Sequence, residues 1–389
     1  MRKEFLPFAK PSIADDVLPE IEKCLKSGWV TMGPKTLEFE QIFKDYTGSA
    51  YAVSVNSATA GLHIALMSLG LKPGDEVITT PMTFVATVNT IIFAGATPVL
   101  ADIDPHTLNI IPENIERKIT PRTKAIIPVH FAGRPCDMGK IEAIAKKHNL
   151  FIIEDAAHAL GAKYQGRKIG YGEGKKMAVF SFHPTKNITT GEGGIICLGL
   201  EDNAEIMSML RQHGMSKGAW NRYAAKGKAH YDVTMPGLKY NMLDIQAVIG
   251  ISQMRQLDSF NKRRAEIAAK YMQAFKDTPG LILPPPTAQG DTHSWHIFTP
   301  LIDIDKLKIT RDEFMKLMGA QNIGTALHYL AVHVFTYYQK MYGWKIGDYP
   351  NAEYVSDRIV SLPLWPAMKD EDIDETIKTV KEVLAANRK

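Results

Sequence analysis

Seven short apolar runs recur through the first half of this chain, and they constrain its fold more than any other feature. Most are unbroken series of apolar residues, which is typical of strands covered on both faces of a sheet. Amphipathic helical segments lie between several of them, such as residues 57–70, which end at Gly70. This alternation predicts an α/β fold with a largely parallel sheet. The runs comprise residues 51–57, 75–81, 97–104, 124–131, 150–157, 176–183 and 193–199.

The pattern changes after residue 240. Residues 241–275 predict one long helix, and a proline-rich turn at residues 278–286 follows it. The remainder mixes strand-like and helical segments. A chain of 389 residues is longer than one hydrophobic core usually serves. We therefore expect a large α/β domain over residues 1–254, which includes the N-terminal segment, and a smaller α+β domain over residues 255–389.

The charge balance and the cysteine content exclude several classes of protein. With 46 basic and 42 acidic residues, the net charge of +4 is too weak to favour nucleic acid or a membrane surface as a partner. No run of about 18 apolar residues occurs, and the first residues do not resemble a signal peptide. Cys24, Cys136 and Cys197 form no CxxC pair, so neither a disulfide framework nor a metal site is favoured. We expect a cytoplasmic protein.

Reactive residues follow three of the predicted strands, at the edge where open α/β sheets bind ligands. Ser57, Ala58 and Thr59 begin a helix, and the free N–H groups at a helix N-terminus bind phosphate. Asp155 lies near the end of the fifth run, and Lys186 follows the sixth. Each residue also has a structural explanation when taken alone. Ser57 suits a helix cap, Asp155 a paired buried charge, and Lys186 a surface cation.

Taken together, these residues supply the three parts that a pyridoxal phosphate (PLP) site needs. They are a phosphate-binding helix N-terminus, a buried acid and a lysine, each at the end of a strand. The lysine bonds the aldehyde of the cofactor, the acid keeps the pyridine nitrogen protonated, and the N–H groups hold the phosphate. The chain contains no G-x-G-x-x-G and no G-x-x-x-x-G-K-[ST]. A nicotinamide-dependent Rossmann oxidoreductase and a P-loop protein therefore lose their main support.

Sequence motifs extend this interpretation over essentially the whole chain. They are SGWVTMGPKTLEFE, VNSATAGLHIAL, PMTFVATVNTIIFAGATPVLADID, KAIIPVHFAGRPCDM, IIEDAAHALGA, SFHPTKNITTGEGG, GLKYNMLDIQAVIG, ALHYLAVH and SLPLWP. They resemble the DegT/StrS family of sugar-nucleotide aminotransferases. The resemblance implies the aspartate-aminotransferase fold (fold type I), with a seven-stranded, mostly parallel sheet, and a homodimer with its sites at the subunit interface. SGWVTMGPK, GLKYNMLDI and ALHYLAVH most resemble the enzymes that form UDP-4-amino-4-deoxy-L-arabinose for lipid A modification.

The resemblance also implies roles for individual cofactor-binding residues. Lys186 would bind PLP covalently and serve as the catalytic base, and Asp155 would contact the pyridine nitrogen. Many relatives have G-x-N-x-R where this chain has GLKYN, so either Lys239 or Asn241 would reach the phosphate of the neighbouring subunit. The other implied contacts are Ala58, Thr59 and Ser181 at the phosphate, Phe84 stacked on the ring, and His158 near its phenolic oxygen.

For the substrate side, the family positions that match are Thr31, His183 and His328. Lys228, together with Lys226, lies in a charged segment that would reach the diphosphate of the sugar nucleotide across the dimer interface. The alternative for that segment is a solvated loop with no role in binding.

The implied function is transfer of an amino group from glutamate to C4 of a UDP-4-keto-pentose, in two half-reactions at one site. The lysine at position 186 argues against those relatives that carry histidine there and remove a hydroxyl group. Two alternatives stay open. One is an aminotransferase for another keto sugar, such as a nucleotide-linked 4-keto-6-deoxyhexose. The other is a non-catalytic, PLP-binding regulator. No metal is expected.

Overall fold

All seven apolar runs form strands of one sheet. The computed structural model describes residues 2–216 and 231–389. The strands of the sheet are β1 (Tyr51–Val55), β2 (Glu76–Thr79), β3 (Thr97–Leu100), β4 (Thr123–Ile126), β5 (Phe151–Asp155), β8 (Lys176–Ser181) and β9 (Gly194–Leu198). A separate hairpin of β6 (Lys163–Tyr164) and β7 (Arg167–Lys168) comes between β5 and β8 in the sequence. The predicted fold class, an α/β architecture of the PLP-dependent aminotransferase type, is confirmed.

The strand order explains why polar residues collect at one edge of the sheet. The order is β1-β9-β8-β5-β4-β2-β3. Only β9 runs against its neighbours, since it pairs antiparallel with both β1 and β8. The other strands run in one direction, so their carboxyl ends lie along the same edge. Side chains that follow β1, β2, β5 and β8 therefore lie close together.

Helices cover both faces of the sheet, which is why its strands are apolar throughout. On one face, α3 and α7 bury a cluster that includes Val53, Ile153 and Leu210. On the other face, α2 and the first half of α8 cover Phe180 and Phe182. The helices of this region are α1 (Val17–Ser27), α2 (Pro34–Thr47), α3 (Ala58–Met67), α4 (Val85–Phe93), α5 (Pro112–Lys118), α6 (Met138–His148), α7 (Glu201–Leu210) and α8 (Asp244–Phe275).

The C-terminal region builds a core of its own. Its elements are the two-stranded sheet of β10 (Leu281–Ile282) and β11 (Leu301–Ile302), and the helices α9 (Arg311–Ala320), α10 (Thr336–Tyr342), α11 (Pro350–Ser356) and α12 (Asp370–Ala386). Phe298, Phe314 and Leu384 belong to this core. Leu6 of the N-terminal segment also packs there and forms a β-bridge with Ile323.

The predicted domain boundary at residues 254 and 255 falls inside α8, which is continuous from Asp244 to Phe275. The second half of α8 packs against α12, so this helix serves both cores. The boundary itself stays a prediction. Among the residues that the structure describes, no helix has the length and apolar character needed to cross a membrane.

Candidate active site

A cavity of about 400 Å³ opens at the edge of the sheet where the parallel strands end. Strands β1, β2, β5 and β8 each lead into a segment that lines it, and a loop of the C-terminal region closes the opposite side. The predicted site residues that line the cavity are Ala58, Thr59, Phe84, Asp155, His158, Ser181, His183, Lys186 and His328.

The N-terminus of α3 presents its backbone to this cavity. The Ser57 hydroxyl oxygen accepts a hydrogen bond from the Ala60 N–H at 3.1 Å and caps the helix. The N–H groups of Ala58 and Thr59 are in the first turn, where no carbonyl of the helix can reach them. Gly194 allows β9 to pass close to the N-terminus of α3, because a Cβ atom at position 194 would lie only 2.6 Å from the Ala58 nitrogen. This end of the helix suits an anion such as a phosphate.

Asp155 is a buried carboxylate at the end of β5. Burial raises its pKa, whereas hydrogen bonds from the Thr87 hydroxyl and the Ala157 N–H lower it, as does the nearby Lys186. The Thr87 hydroxyl lies 2.7 Å from Oδ2, and the Ala157 nitrogen lies 3.2 Å from Oδ1. Thr83 in turn shares a hydrogen bond of 2.7 Å with Thr87. The carboxylate is therefore fixed in orientation and favours a cation in the cavity.

Lys186 lies in the loop that follows β8, and its side chain reaches the same cavity. Burial lowers its pKa to about 8, although the Asp155 charge acts in the opposite direction. The loop is held from behind by Arg264 of α8, whose guanidinium lies 3.5 Å from the Lys186 carbonyl oxygen and 3.0 Å from that of His296. An amine with this pKa is partly neutral near pH 7, and a neutral amine is the form that acts as a nucleophile or base.

His158 is a buried residue of the cavity wall, and both of its ring nitrogens form hydrogen bonds with other protein groups. The Ala132 N–H donates to Nδ1 at 3.3 Å, and Nε2 lies 3.1 Å from the hydroxyl oxygen of Tyr329. The Tyr329 ring stacks on the imidazole, with centroids 6.0 Å apart. Burial, Lys186 and His328 together hold the pKa of His158 well below its usual value, so the ring is neutral.

The outer part of the cavity carries aromatic and imidazole groups. The Phe84 side chain is 56% exposed although it is a large apolar residue, and its ring lies 5.8 Å from that of Tyr329. His183 is exposed and its Nδ1 lies 3.0 Å from the Thr185 hydroxyl. His328 pairs with the Ser361 hydroxyl at 2.8 Å, and burial and Lys186 lower its pKa to about 3. An exposed ring such as Phe84 suits stacking on a flat ligand.

Three predicted site residues do not line the cavity of this single chain. Thr31 is exposed before α2, where its carbonyl oxygen accepts a hydrogen bond from the Asp244 N–H. Lys239 is exposed, and its carbonyl oxygen lies 3.4 Å from the side-chain nitrogen of Asn56. Asn241 is buried and donates to the Met242 carbonyl oxygen. Two other predicted residues, Lys226 and Lys228, lie outside the described residues.

Two residues of the site were not found from the sequence. Thr87 lies in the first turn of α4, and its contact with Asp155 joins residues 68 positions apart. Tyr329 lies beside His328 in the motif ALHYLAVH, and the resemblance implies a role only for His328. Among the described residues, no group of three or more histidine, cysteine or acidic side chains is arranged to hold a metal ion.

Comparisons with known proteins show the family and the fold of this chain. The model of the DegT/DnrJ/EryC1/StrS aminotransferase family matches residues 11–381. An uncharacterized protein of Methanocaldococcus jannaschii is 49% identical over 389 residues, which cover all of both chains. The spore coat polysaccharide biosynthesis protein SpsC of Bacillus subtilis is 47% identical over 385 residues, 98% of each chain. The structure of a putative sugar aminotransferase of Streptococcus pneumoniae in its PMP form superposes with a TM-score of 0.91 at 32% identity, covering 98% of this chain and 99% of that one.

Proposed function

The chain belongs to the DegT/DnrJ/EryC1/StrS aminotransferase family and is a PLP-dependent sugar aminotransferase, and we propose that it moves an amino group from glutamate to C4 of a nucleotide-linked keto sugar. The observation that carries this proposal is that Asp155 and Lys186 face one cavity together with the N-terminus of α3. An enzyme of this family is not a non-catalytic regulator, so that alternative is set aside.

The described residues fit the cofactor group by group. Ala58 and Thr59 would hold its phosphate through their backbone N–H groups, with the Ser181 hydroxyl beside them. Asp155 would hold the proton on the pyridine nitrogen, because a buried carboxylate stabilises a cation next to it. The exposed Phe84 ring would cover one face of the cofactor, and the His158 side chain would lie beside it.

Lys186 has two roles in this proposal. Its Nζ atom would hold the cofactor covalently, and it would become a free amine when the amino donor takes its place. Bound PLP supplies the electron sink that makes the C–H bond of the donor acidic. The Lys186 amine would take that proton from the donor carbon in the first half-reaction and would deliver a proton to C4 of the sugar in the second. The lowered pKa of about 8 supports this role, since the neutral amine is populated near pH 7.

The sugar would bind in the outer part of the cavity, near His183 and His328. His328 is neutral because its pKa is about 3, so it offers a hydrogen bond without a charge. Thr31 and Lys228 are proposed for the rest of the nucleotide sugar, and Lys239 or Asn241 for the phosphate of a second subunit. Lys239 is exposed beside the start of α3 without lining the cavity of its own chain, which supports a homodimer with shared sites.

For the sugar itself we propose a UDP-4-keto-pentose, which would give UDP-4-amino-4-deoxy-L-arabinose for lipid A modification. The support is the likeness of three motifs, SGWVTMGPK, GLKYNMLDI and ALHYLAVH. A second candidate, a nucleotide-linked 4-keto-6-deoxyhexose, is favoured by the relative SpsC, whose name assigns it to the biosynthesis of a spore coat polysaccharide rather than to lipid A.

Two half-reactions test the proposal. Glutamate added to the PLP-loaded protein should bleach the absorbance of the bound cofactor, and the keto sugar added next should restore it. We expect UDP-4-keto-pentose to restore it faster than UDP-4-keto-6-deoxyhexose. Faster recovery with the hexose would assign the second substrate instead. A spectrum that glutamate leaves unchanged, and that other amino donors also leave unchanged, would overturn the proposed reaction.

A further inference from the structure

The hydrogen bonds around His158 determine which of its nitrogens carries the proton. The Ala132 backbone N–H points at Nδ1 from 3.3 Å, and a backbone N–H can only donate. Nδ1 must therefore accept and cannot hold a proton in the neutral ring. Burial, with the charges near it, keeps the pKa of His158 well below its usual value. The single proton of this imidazole is consequently on Nε2.

The direction of the next hydrogen bond follows. Nε2 lies 3.1 Å from the Tyr329 hydroxyl oxygen, so His158 donates and the Tyr329 oxygen accepts. Burial and Asp155 raise the pKa of Tyr329, so its hydroxyl keeps its own proton. That proton cannot point back at Nε2, which is already protonated. Within the described residues, the Tyr329 hydroxyl has no other hydrogen-bond partner, and Tyr329 lines the cavity.

We propose that Tyr329, and not His158, is the hydrogen-bond donor that this side of the cavity presents to an oxygen of the bound cofactor or of the sugar. His158 is a positioning residue, which fixes the Tyr329 hydroxyl with its proton directed into the cavity. The inference rests on the proposed function, because an oxygen that carries negative charge during the reaction is the acceptor that such a donor stabilises.

The charged and titratable neighbours of His158 do not reverse this assignment. Lys186 and His328 disfavour the protonated imidazole, as the shift in its pKa shows. The His296 ring lies 4.4 Å from the His158 ring, and neither of its nitrogens has a hydrogen-bond partner among the described residues. Burial holds the pKa of His296 well below its usual value, so it is neutral as well. Asp155 contacts Thr87 and the Ala157 N–H instead of His158.

The substitution Tyr329→Phe removes the donor and keeps the ring. Its matched control is Tyr338→Phe, because the Tyr338 hydroxyl makes one hydrogen bond, to Asn89, away from the cavity. Tyr338 is buried and Tyr329 is half-buried. Thermal unfolding of both variants measures any general loss of stability. The readout is the absorbance of the bound cofactor titrated against pH, before any substrate is added.

Two results support the inference and assign the acceptor. If Tyr329 donates to the cofactor, Tyr329→Phe raises the pKa of the bound cofactor by about one unit, because the donor stabilises the deprotonated oxygen. If Tyr329 donates to the sugar, that pKa is unchanged and kcat/KM for the keto sugar falls about tenfold, with the glutamate half-reaction unaffected. A variant that matches Tyr338→Phe in both measurements would overturn the inference.

Substitution of His158 tests the positioning role separately. His158→Gln retains an acceptor for the Ala132 N–H and a donor for Tyr329, so it should behave like the unaltered protein. His158→Leu retains neither and should reproduce the effect of Tyr329→Phe. If His158→Leu leaves both measurements unchanged, His158 does not position Tyr329.

The proton position is testable without catalysis. Nitrogen NMR of protein labelled at histidine, with His158→Gln used to assign the signal, should show a neutral His158 protonated at Nε2 between about pH 6 and 9. A proton on Nδ1 would overturn the inference, because Tyr329 would then donate to His158. This measurement also works on protein free of cofactor, so its outcome is independent of whether glutamate bleaches the loaded enzyme.

Discussion

Two walls of the cavity differ in how the chain builds them and in the charge they carry. The strand-end wall, formed by Ala58, Thr59, Asp155, Ser181 and Lys186, follows β1, β5 and β8 of the main sheet. It contains a carboxylate and an amine whose pKa values influence each other.

The C-terminal wall, formed by His328 and Tyr329, comes from a loop between α9 and α10. Both of its residues are neutral near pH 7, because burial lowers the pKa of His328 to about 3 and raises that of Tyr329.

The difference between the two walls suggests a division of roles, with the chemical step on the strand-end wall and recognition of the sugar on the C-terminal wall. In the proposed reaction, the charged groups that would act on the cofactor lie at the ends of the sheet strands or in the loop that follows β8. A neutral wall could bind sugar hydroxyls without disturbing those charges. Changes to the strand-end wall should therefore alter the chemical step, whereas a change to His328 of the C-terminal wall should alter binding of the sugar. The following predictions test this division, beginning with the largest effect.

Lys186→Ala should lower transamination by at least about 10⁴-fold, because it removes both the covalent attachment and the base. Steady-state turnover with glutamate and keto sugar measures it. Lys186→Arg is the matched control, since it keeps a cation but cannot serve as a base at neutral pH, and it should be similarly inactive. An active arginine variant would mean that Lys186 contributes only its charge.

Asp155→Asn should lower kcat by about 10²- to 10³-fold, because the amide keeps the size of the side chain but removes the charge that would hold a proton on the ring. Single-turnover bleaching by glutamate measures the chemical step directly. Thr87→Val serves as the control, since it removes one hydrogen bond to Asp155 and keeps the carboxylate. If Asp155→Asn raises KM alone, the Asp155 charge has no special role in the chemical step.

The rate at which cofactor-free protein takes up PLP should rise about tenfold per pH unit below pH 8 and level off above it. Only the neutral Lys186 amine attacks the aldehyde, and its pKa is about 8. Absorbance stopped-flow measures the rate. Because the Asp155 charge raises the pKa of Lys186, Asp155→Asn should move the inflection to lower pH. An inflection near the ordinary lysine pKa would contradict the burial of this amine.

His328→Gln should raise KM for the keto sugar by about three- to tenfold, because it disturbs one neutral hydrogen bond. The pH dependence of kcat between about pH 6 and 9 should stay the same, since His328 does not titrate in that range. Steady-state kinetics at several pH values measure both quantities. A change in the pH profile would show that the C-terminal wall carries a charge.

The same division explains what could be predicted from the sequence. Asp155 and Lys186 were found because parallel strands end at one edge, so residues far apart in the chain have a common location. The fold was found because an apolar run has few alternatives to a buried strand.

Tyr329 and Thr87 were not found, because nothing local distinguishes them. Tyr329 reaches the cavity only through packing of the C-terminal region on the sheet, and Thr87 acts through a contact with a residue 68 positions away. His158 was predicted as a neighbour of the cofactor, and it lines the cavity. The sequence does not indicate that both of its ring nitrogens are hydrogen-bonded to other protein groups.

The continuous helix α8 has a practical consequence for anyone who wishes to divide this protein. It holds 32 residues, which is about 48 Å of uninterrupted helix. Truncation at residue 254 would cut it about one third of the way along and separate Arg264 from the Lys186 loop that it supports. Neither fragment would keep a complete core, so the two should be insoluble when expressed alone. Heating the whole chain should likewise melt both cores in one cooperative step.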